Sequence, residues 1–454
     1  MAATAKMALA LLAQQNGLHP AGWIKAGGPT DCANDIDYHI EMARLAETGK
    51  FDLFFVADTP AARTDNLGAW SRYTPYMNCF EPITLLSALA GATSRIGLGG
   101  TASTSFYEPY NIARLYASLD HLSHGRGAWN VVTSGNNYAA RNFGEDKLPP
   151  HAKRYARARE FVEVVKALWD TYDDDAIVYD REGGVYFDPA KFHVLDHQGE
   201  FFKMHSALNI ARCPQGQPVI IQAGASDAGR ELAAETAEVV FNSDDELPAA
   251  KAYYDDLKGR TAKFGRTPAD IRVLAGFTPM IADSRWEAED KYRELQELMH
   301  PLVGKVRVSS DLEADVSDLD PDQPIPLERI PKTANLHTRY FEQIVDMIKN
   351  QQLTLRQLWQ RYERGNKRIL GTATDVADTM EEWFRAGACD GFMMIFPTLP
   401  DGLQEFVARV VPELQRRGLY KLDYEGVTLR EHLGLKRPES RYAKAALSRA
   451  GGAR

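Results

Sequence analysis

The sequence predicts a closed (β/α)8 TIM barrel with long loop insertions, and three observations lead to that prediction. Eight short runs rich in β-forming residues recur along the chain, helical patterns separate them, and several runs end in polar side chains. Alternation of strands and helices is typical of a parallel sheet. Eight such units indicate a closed barrel, and an open doubly wound sheet is the alternative.

The predicted strands are short runs of β-forming residues spread over the whole chain. Their ranges are 6–13, 51–58, 96–104, 127–134, 218–226, 238–243, 272–282 and 391–397. The first contains MALALLA, which faintly resembles a signal peptide. Its apolar part is at the lower limit of length for a signal, and no good cleavage site follows it, so we interpret it as a strand.

Helical patterns lie between these strands. Pro82 suits the first turn of a helix, and an apolar stripe that begins at Ile36 ends at Gly49. One apolar helical face runs through 152–172. Pro412 is predicted to kink the final helix.

The chain is longer than a barrel needs. We predict that 1–435 form one barrel domain, followed by a basic tail at 436–454 that is either solvated or wraps a neighbouring subunit. Long loops in a compact barrel usually build a binding site or its lid. The predicted insertions lie at about 59–80, 135–150, 174–217 and 301–370.

Composition restricts the function classes. The chain has 454 residues, 44% of them hydrophobic and 25% charged, which is typical of a soluble globular protein. A net charge of −9 argues against a general binder of nucleic acid or anionic membranes. The four cysteines lie far apart, which favours neither disulfides nor a zinc cluster and predicts a cytoplasmic location.

One motif resembles a nucleotide-binding signature but lacks the helix that should follow it. The segment from Gly97 to Ala102 matches the G-x-G-x-x-A dinucleotide fingerprint, but that fingerprint needs its last small residue to open a helix. Here β-formers and Pro109 follow, so a Rossmann site is disfavoured. The sequence has no Walker, HExxH or GxSxG motif, and His121 and His124 are interpreted as a structural pair, so no metal site is predicted.

Polar residues at the ends of predicted strands indicate a site. Any one of them could simply mark where a strand meets a loop, but all lie at carboxyl ends, where barrel enzymes place their sites. Farther on, Ser226 opens a helix whose free N–H groups favour an anion, although a plain N-cap serine is the alternative. The polar strand-end residues are Asp58, Ser103, Thr104, Thr133, Ser134, Ser226, Asn242 and Ser243.

Segments spread over nearly the whole chain carry a family resemblance. They are KFDLFFVAD (50–58), EPITLLSALAGATSRIGLGGTASTSFYEPYNIAR (81–114), SLDHLSHGRGAWNVVTS (118–134), ARNFG (140–144), PVIIQAGASDAGRE (218–231), GTATDVADTM (371–380) and VPELQRRGLY (411–420). Together they resemble the bacterial luciferase-like flavin monooxygenases. Within them the chain is similar to the branch that holds nitrilotriacetate, EDTA, dibenzothiophene-sulfone and long-chain-alkane monooxygenases.

The resemblance implies a two-component enzyme. Such an enzyme takes reduced FMN from a separate NAD(P)H:flavin reductase, uses O2 through a flavin C4a-(hydro)peroxide, and oxygenates a small organic substrate. A homodimer or homotetramer is also implied. Carried over to this sequence, Asp58 and either Ser103 or Thr104 lie along the isoalloxazine ring and Thr133 lies near its edge. His151, Tyr155 and Ser226 hold the ribityl phosphate.

The catalytic and substrate residues are less strongly indicated. Alkane-oxidising relatives carry a histidine directly after NVVTS, where this chain has Gly135. Either the chemistry needs no imidazole there, or His19 supplies one, with an ordinary loop histidine as the alternative. Asn137 is the second catalytic candidate.

Substrate contacts are predicted for Arg63, Tyr73 and Tyr107. An arginine can hold a carboxylate in bidentate fashion, which favours a nitrilotriacetate-like aminopolycarboxylate. An organosulfur, aromatic or alkane substrate is the alternative. The remaining alternatives are a deazaflavin-dependent oxidoreductase of the same fold and, outside enzymes, a flavin-binding storage protein, which should lack the long insertions.

Overall fold

The computed structural model describes residues 6–73, 77–334, 338–362 and 366–442. The strands in this part of the chain are β1 (Ala8–Leu12), β2 (Leu53–Val56), β3 (Gly97–Ser103), β4 (Gly127–Val132), β5 (Ile177–Asp180), β6 (Val185–Phe187), β7 (Leu195–Gln198), β8 (Lys203–Ser206), β9 (Val219–Gln222), β10 (Val239–Asn242), β11 (Arg272–Ile281), β12 (Lys367–Gly371) and β13 (Gly391–Met394). None of the helices among these residues is long and apolar enough to cross a membrane.

Helices surround the strands. They are α1 (Gly22–Lys25), α2 (Ile36–Thr48), α3 (Leu67–Trp70), α4 (Pro82–Ala92), α5 (Pro109–Leu122), α6 (Asn137–Asn142), α7 (His151–Trp169), α8 (Asp227–Thr236), α9 (Leu247–Arg260), α10 (Arg285–Leu298), α11 (Pro301–Leu312), α12 (Thr338–Gln351), α13 (Leu355–Arg361), α14 (Ala373–Arg385), α15 (Asp401–Glu405), α16 (Val411–Arg416) and α17 (Leu429–His432). Several short 3-10 turns connect them.

Eight parallel strands close into a barrel. Their order around it is β1, β2, β3, β4, β9, β10, β11 and β13, and β13 pairs back onto β1 with Gly391 opposite Ala8. Each of the eight predicted runs contains one of these strands, so the predicted barrel is confirmed. The stretch that resembles a signal peptide is β1, whose Leu9 and Leu11 are buried.

A ninth parallel strand was not predicted. β12 pairs with the second half of β11, and Gly371 lies opposite Ile281. The first half of β11 pairs with β10 and β13 inside the barrel. Because β11 has ten residues, it extends beyond its barrel neighbours and offers a free edge that β12 covers.

The dinucleotide-like segment is part of the barrel wall. Gly97 to Ala102 lie in β3, which continues to Ser103, and the next helix begins only at Pro109. A helix does not open at Ala102, as the fingerprint would require. His121 Nε2 donates to the carbonyl of Ala211 (3.0 Å), which fits a structural role.

The predicted helix boundaries agree with the structure. α4 begins at Pro82, α2 begins at Ile36 and is capped by Gly49, and α7 covers most of 152–172. Before Pro412, the segment Phe406–Val410 forms a π-helical turn between α15 and α16. Proline lacks an N–H and crowds the preceding turn, so the irregular segment fits the predicted kink.

The amino-terminal end of the barrel is closed by the end of the described chain. Leu429, Leu433 and Leu435 pack with the apolar barrel interior. At Gly97 a Cβ atom would lie 2.5 Å from Cδ1 of Leu429, so glycine lets this plug approach the wall. Among the described residues, this leaves the carboxyl end of the barrel for a site.

The long connections carry their own structure. α3 lies within 59–80, α6 within 135–150, two β-hairpins (β5–β6 and β7–β8) within 174–217, and α11 to α13 within 301–370. The last group has a separate apolar cluster. Of the predicted tail, residues up to 442 contact 170–174, and 443–454 lie outside the described residues.

Candidate active site

The ends of β3 and β4 bring two serine hydroxyls together at the mouth of the barrel. The Oγ atoms of Ser103 and Ser134 lie 2.6 Å apart. Ser134 adopts a left-handed backbone conformation (φ 57°), which turns the chain sharply after β4. Ser103 also accepts a hydrogen bond from the Ser105 N–H (3.1 Å), so its side chain is held in place.

Thr104 and Thr133 lie beside this pair with different roles. Both the N–H and the hydroxyl of Thr104 donate to the carbonyl of Val132, and the residue is 1% exposed. The carbonyl of Thr133 accepts from the Ser105 hydroxyl (2.9 Å), and its side chain is half-buried. Because side chains alternate along a strand, Ser103 and Thr104 point to opposite faces, and the Thr104 hydroxyl is already engaged.

A polar pair lies deeper inside the barrel. Asn130 Nδ2 donates to Thr101 Oγ1 (2.9 Å), whereas Asn130 Oδ1 is buried and has no hydrogen-bond partner among the described residues. A buried acceptor without a donor is costly, so it fits a site that a ligand completes. Sequence reasoning missed Asn130, although an amide in the middle of a buried parallel strand was a usable signal.

An anion cradle forms where α7 and α8 begin. Ser226 is the N-cap of α8, and its hydroxyl accepts from the Gly229 N–H (3.1 Å). A Cβ atom at Gly229 would lie 3.2 Å from both the Ser226 hydroxyl and the Tyr155 hydroxyl, and 2.9 Å from the backbone of Gly224. The two predicted hydroxyls therefore meet at a helix N-terminus, where backbone N–H groups and the helix dipole favour an anion.

His151 and Arg154 border the cradle. His151 is the exposed first residue of α7, and its ring centroid lies 4.5 Å from that of Tyr155. Burial, with a smaller effect of Arg154, lowers the pKa of His151. Arg154 Nη1 donates to the carbonyl of Ser134, and its buried Nε has no partner among the described residues. Arg154 was not predicted, although it lies within the helix entrance that drew attention to His151.

Asp58 lies just after β2, and its pKa is raised. Burial, together with the Glu81 carboxylate, raises its pKa from 3.8 to about 6, although the Thr59 N–H acts in the opposite direction. Burial, Glu81 and Asp58 also raise the pKa of the half-buried Tyr107. Asp58 therefore changes its protonation state near neutral pH, unlike an ordinary surface carboxylate.

His19 is fixed on the loop after β1. It is 8% exposed, and its Nδ1 accepts a hydrogen bond from the Ala21 N–H (3.0 Å). Burial first, and then the positive charge of Arg307, lower the pKa of His19 to about 3, so the imidazole is neutral at physiological pH. With Nδ1 as acceptor, the proton of the neutral ring resides on Nε2, which has no hydrogen-bond partner in the described part of the chain.

Three other predicted residues are engaged by protein groups. The Arg63 guanidinium lies over the rings of Trp70 (4.2 Å) and Tyr138 (4.1 Å) and pairs with Asp65. Tyr73 stacks on Trp70 (5.7 Å between centroids). The exposed Asn137 accepts from the Leu148 N–H (3.0 Å), so it holds its own loop.

A family model matches most of the chain. Residues 8–390 match the model described as luciferase-like monooxygenase. The chain belongs to that family. The matched region extends from β1 to the start of β13, so it includes almost the whole barrel and its insertions.

Several relatives of this luciferase-like monooxygenase align with it over nearly their full length. It is 45% identical over 94% of its chain to N-acetyl-S-(2-succino)cysteine monooxygenase from Bacillus subtilis (strain 168), covering 96% of that protein. It is 44% identical over 98% of its chain to nitrilotriacetate monooxygenase component A from Aminobacter aminovorans, covering 100% of it. Among solved structures, EDTA monooxygenase from Chelativorans sp. BNC1 is 33% identical with a TM-score of 0.77, covering 95% of this chain and 99% of the other.

The luciferase-like monooxygenase is therefore a flavin-dependent oxidoreductase. The residues at the mouth fit a flavin. The Tyr155 and Ser226 hydroxyls and the start of α8 suit a phosphate, and the Ser103–Ser134 pair and Asn130 offer polar atoms for a ring system. Predicted residues from β2, β3, β4, α7 and the loop after β9 thus surround one half of the mouth.

Proposed function

We propose that the protein is the oxygenase component of a two-component system, which takes reduced FMN from a separate NAD(P)H:flavin reductase and oxidises a small carboxylate-bearing molecule. The observation that supports this most strongly is the cradle at Gly229, where the Tyr155 and Ser226 hydroxyls meet the N-terminus of α8. A terminal phosphate distinguishes FMN from riboflavin, and this cradle suits a phosphate.

Each side chain of the flavin half then has a binding or orienting role. The hydroxyls of Tyr155 and Ser226 donate to the phosphate, and His151 and Arg154 add donors at its edge. The Ser103–Ser134 pair orients the ring, since each hydroxyl fixes the other. Bound reduced FMN supplies the electrons that activate O2.

Asp58 is the proton-holding group of this half. Its pKa of about 6 means that the carboxyl is partly protonated at slightly acidic pH and can hold a proton beside the ring. The insertions at 59–80 and 135–150 contact each other through Arg63, Asp65 and Tyr138, and a mouth enclosed by them excludes water from the reacting atoms. These roles require no metal ion and no nicotinamide site in this chain.

The substrate class follows from the relatives and from the chemistry of the mouth. The names of two similar proteins state that they act on N-acetyl-S-(2-succino)cysteine and on nitrilotriacetate, which both carry several carboxylates. A dibenzothiophene-sulfone monooxygenase is 37% identical, so an organosulfur substrate is the second candidate. We favour a polycarboxylate because positive side chains lie near His19 at the mouth.

The experiment that tests the proposal is a substrate screen with a defined electron supply. The full-length protein is incubated with NADH, FMN, a flavin reductase and each of a set of polycarboxylates and sulfones, and products are identified by mass spectrometry. We expect a product that carries one oxygen atom from O2, or the fragments of such a product, only when the reductase is present. Oxygenation by the chain with NADH alone would contradict the proposal.

A further inference from the structure

The half of the mouth that faces the flavin half has its own polar cluster. It is formed by the loop after β1, by β12 and by α10 and α11, and none of its residues belongs to the flavin half. Tyr292 and Gln296 are one turn apart on α10 and share one face, and Met299 follows directly after the helix as its C-cap. Residues of this segment contact both His19 and Arg307, as described below.

The first part of the face holds His19. The ring of His19 meets the ring of Tyr292 edge-on, with centroids 5.9 Å apart. Gln296 Nε2 donates to the Tyr292 hydroxyl (2.7 Å), and Arg368 from β12 donates to the same hydroxyl (3.1 Å). His19 is thereby held between its own backbone turn and α10, with its Nε2–H buried.

Arg307 lies at the end of this segment. Its Nη1 lies 3.9 Å from Sδ of the buried Met299, which is a weak contact for a guanidinium. Arg307 is half-buried, and among the residues that the structure describes no carboxylate pairs with it. Its neighbour Val306 packs on Ala69 and Trp70 of α3, so α11 is fixed between the two insertions that border the mouth.

A partly buried cation without a counter-ion is unfavourable. Desolvation weakens its hydration, and only an anion or several acceptors can compensate. His19 adds a second donor that is more than nine-tenths buried and has no partner within hydrogen-bond distance, and the side chain of Gln296 lies beside it and raises its pKa. Both groups can only donate. His19 packs on Tyr292 of α10, Arg307 contacts Met299 directly after α10, and the charge of Arg307 acts on His19, so an acceptor with negative charge suits both groups.

We propose that Arg307 and the Nε2–H of His19 form a carboxylate-binding subsite that holds one carboxylate of the substrate opposite the flavin half of the mouth. This inference deepens the proposed function and rests on it for the statement that the bound molecule is the substrate. It assigns His19 to binding rather than to proton transfer, and it gives to Arg307 the role that the sequence predicted for Arg63.

Binding of defined carboxylates tests the subsite. The probes are nitrilotriacetate, N-acetyl-S-(2-succino)cysteine and tricarballylate, a tricarboxylate without amine or sulfur. Their Kd values are measured by calorimetry on the full chain, with and without reduced FMN under anaerobic conditions. We expect Arg307→Gln to raise the Kd of the probes by about tenfold or more, because a charge-assisted bidentate contact is lost.

Matched variants separate this effect from a change of net charge. Arg293→Gln removes the same charge from the exposed side of α10, where Arg293 pairs with Asp290 and Glu297, and it should change the Kd less than about twofold. Arg307→Lys should fall between wild type and Arg307→Gln, since lysine keeps the charge without the fork. His19→Gln, which offers an N–H near the position of Nε2, should bind the probes more tightly than His19→Leu.

The two proposals fail in different ways. The subsite is overturned if wild type binds reduced FMN but none of the three probes, or if folded Arg307→Gln binds them as tightly as wild type. The proposed function fails if wild type does not bind reduced FMN, and carboxylate binding is then still measurable without flavin. Reduced-FMN affinity should be the same in wild type and in Arg307→Gln.

Discussion

The two ends of the barrel differ in whether a buried arginine has an ion-pair partner. At the amino-terminal end, the 2% exposed Arg430 forms a bidentate ion pair with Glu238 and donates to the carbonyls of Gln217 and Lys436. At the mouth, Arg307 has a thioether contact and no ion pair among the described residues. The closed end is built for stability, whereas the open end keeps donors for a ligand.

Arginine substitutions at the two ends of the barrel should differ most in their effect on the free energy of unfolding. Arg430→Gln leaves Glu238 without its main partner, so the free energy of unfolding should fall by about 3 to 5 kcal/mol. Arg307→Gln removes a charge that the protein does not compensate and should change the free energy of unfolding by less than about 1 kcal/mol. Urea denaturation of both variants measures the difference, and equal losses would show that the two ends do not differ in this way.

The hydroxyls of the cradle give the next largest effect. Tyr155→Phe combined with Ser226→Ala should raise the Kd for reduced FMN at least about tenfold, because two donors to the phosphate are lost. Loss of the Ser226 cap alone should cost about 1 kcal/mol of stability. Fluorescence titration under anaerobic conditions measures the Kd.

Ser284→Ala is the matched control for that double variant. Ser284 caps α10 through the Glu287 N–H (3.2 Å) in the same way that Ser226 caps α8. It should cost a similar amount of stability while leaving the affinity for reduced FMN unchanged. An unchanged affinity in the double variant would show that the Tyr155 and Ser226 hydroxyls do not bind the phosphate.

A pH dependence of stability gives the smallest effect. Burial raises the pKa of Asp58 to about 6, so the folded carboxyl keeps its proton to a higher pH than the unfolded one. The free energy of unfolding therefore falls as the pH rises from about 4 to about 6, and Asp58→Asn removes that part of the slope, about 1 to 2 kcal/mol for a half-buried group.

The measurement compares wild type with Asp58→Asn in urea across this pH range. Asp120, whose pKa burial also raises to about 6, contributes equally to both proteins and cancels in the difference. Parallel curves for the two proteins would mean that the Asp58 carboxyl is not held in its protonated form.

Local sequence patterns predict some parts of the molecule and miss others. Strand positions follow from local patterns, so the eight barrel strands agree with the prediction. Tyr155 and Ser226, which lie at the starts of two different helices, are both beside Gly229, and their role in holding a phosphate stays a prediction. β12 was missed because KRILG is short and covers an edge that only the extra length of β11 creates.

Arg307 could not be found in this way. It is far from His19 in the chain, and its place follows from the packing of α11 on α3 and from its contact with Met299 after α10, which local patterns do not reveal. The prediction of Arg63 as a substrate residue used its place in an insertion and the chemistry of its side chain, and neither reveals that Trp70, Tyr138 and Asp65 already engage its guanidinium.

We expect the mouth of this barrel to bind reduced FMN. Anaerobic titration of the full-length protein with reduced FMN, oxidised FMN and a reduced deazaflavin tests it most directly. We predict saturable binding of about one reduced FMN per chain, tighter than for oxidised FMN and much tighter than for the deazaflavin. Preference for the deazaflavin, or no binding of reduced FMN, would contradict the account.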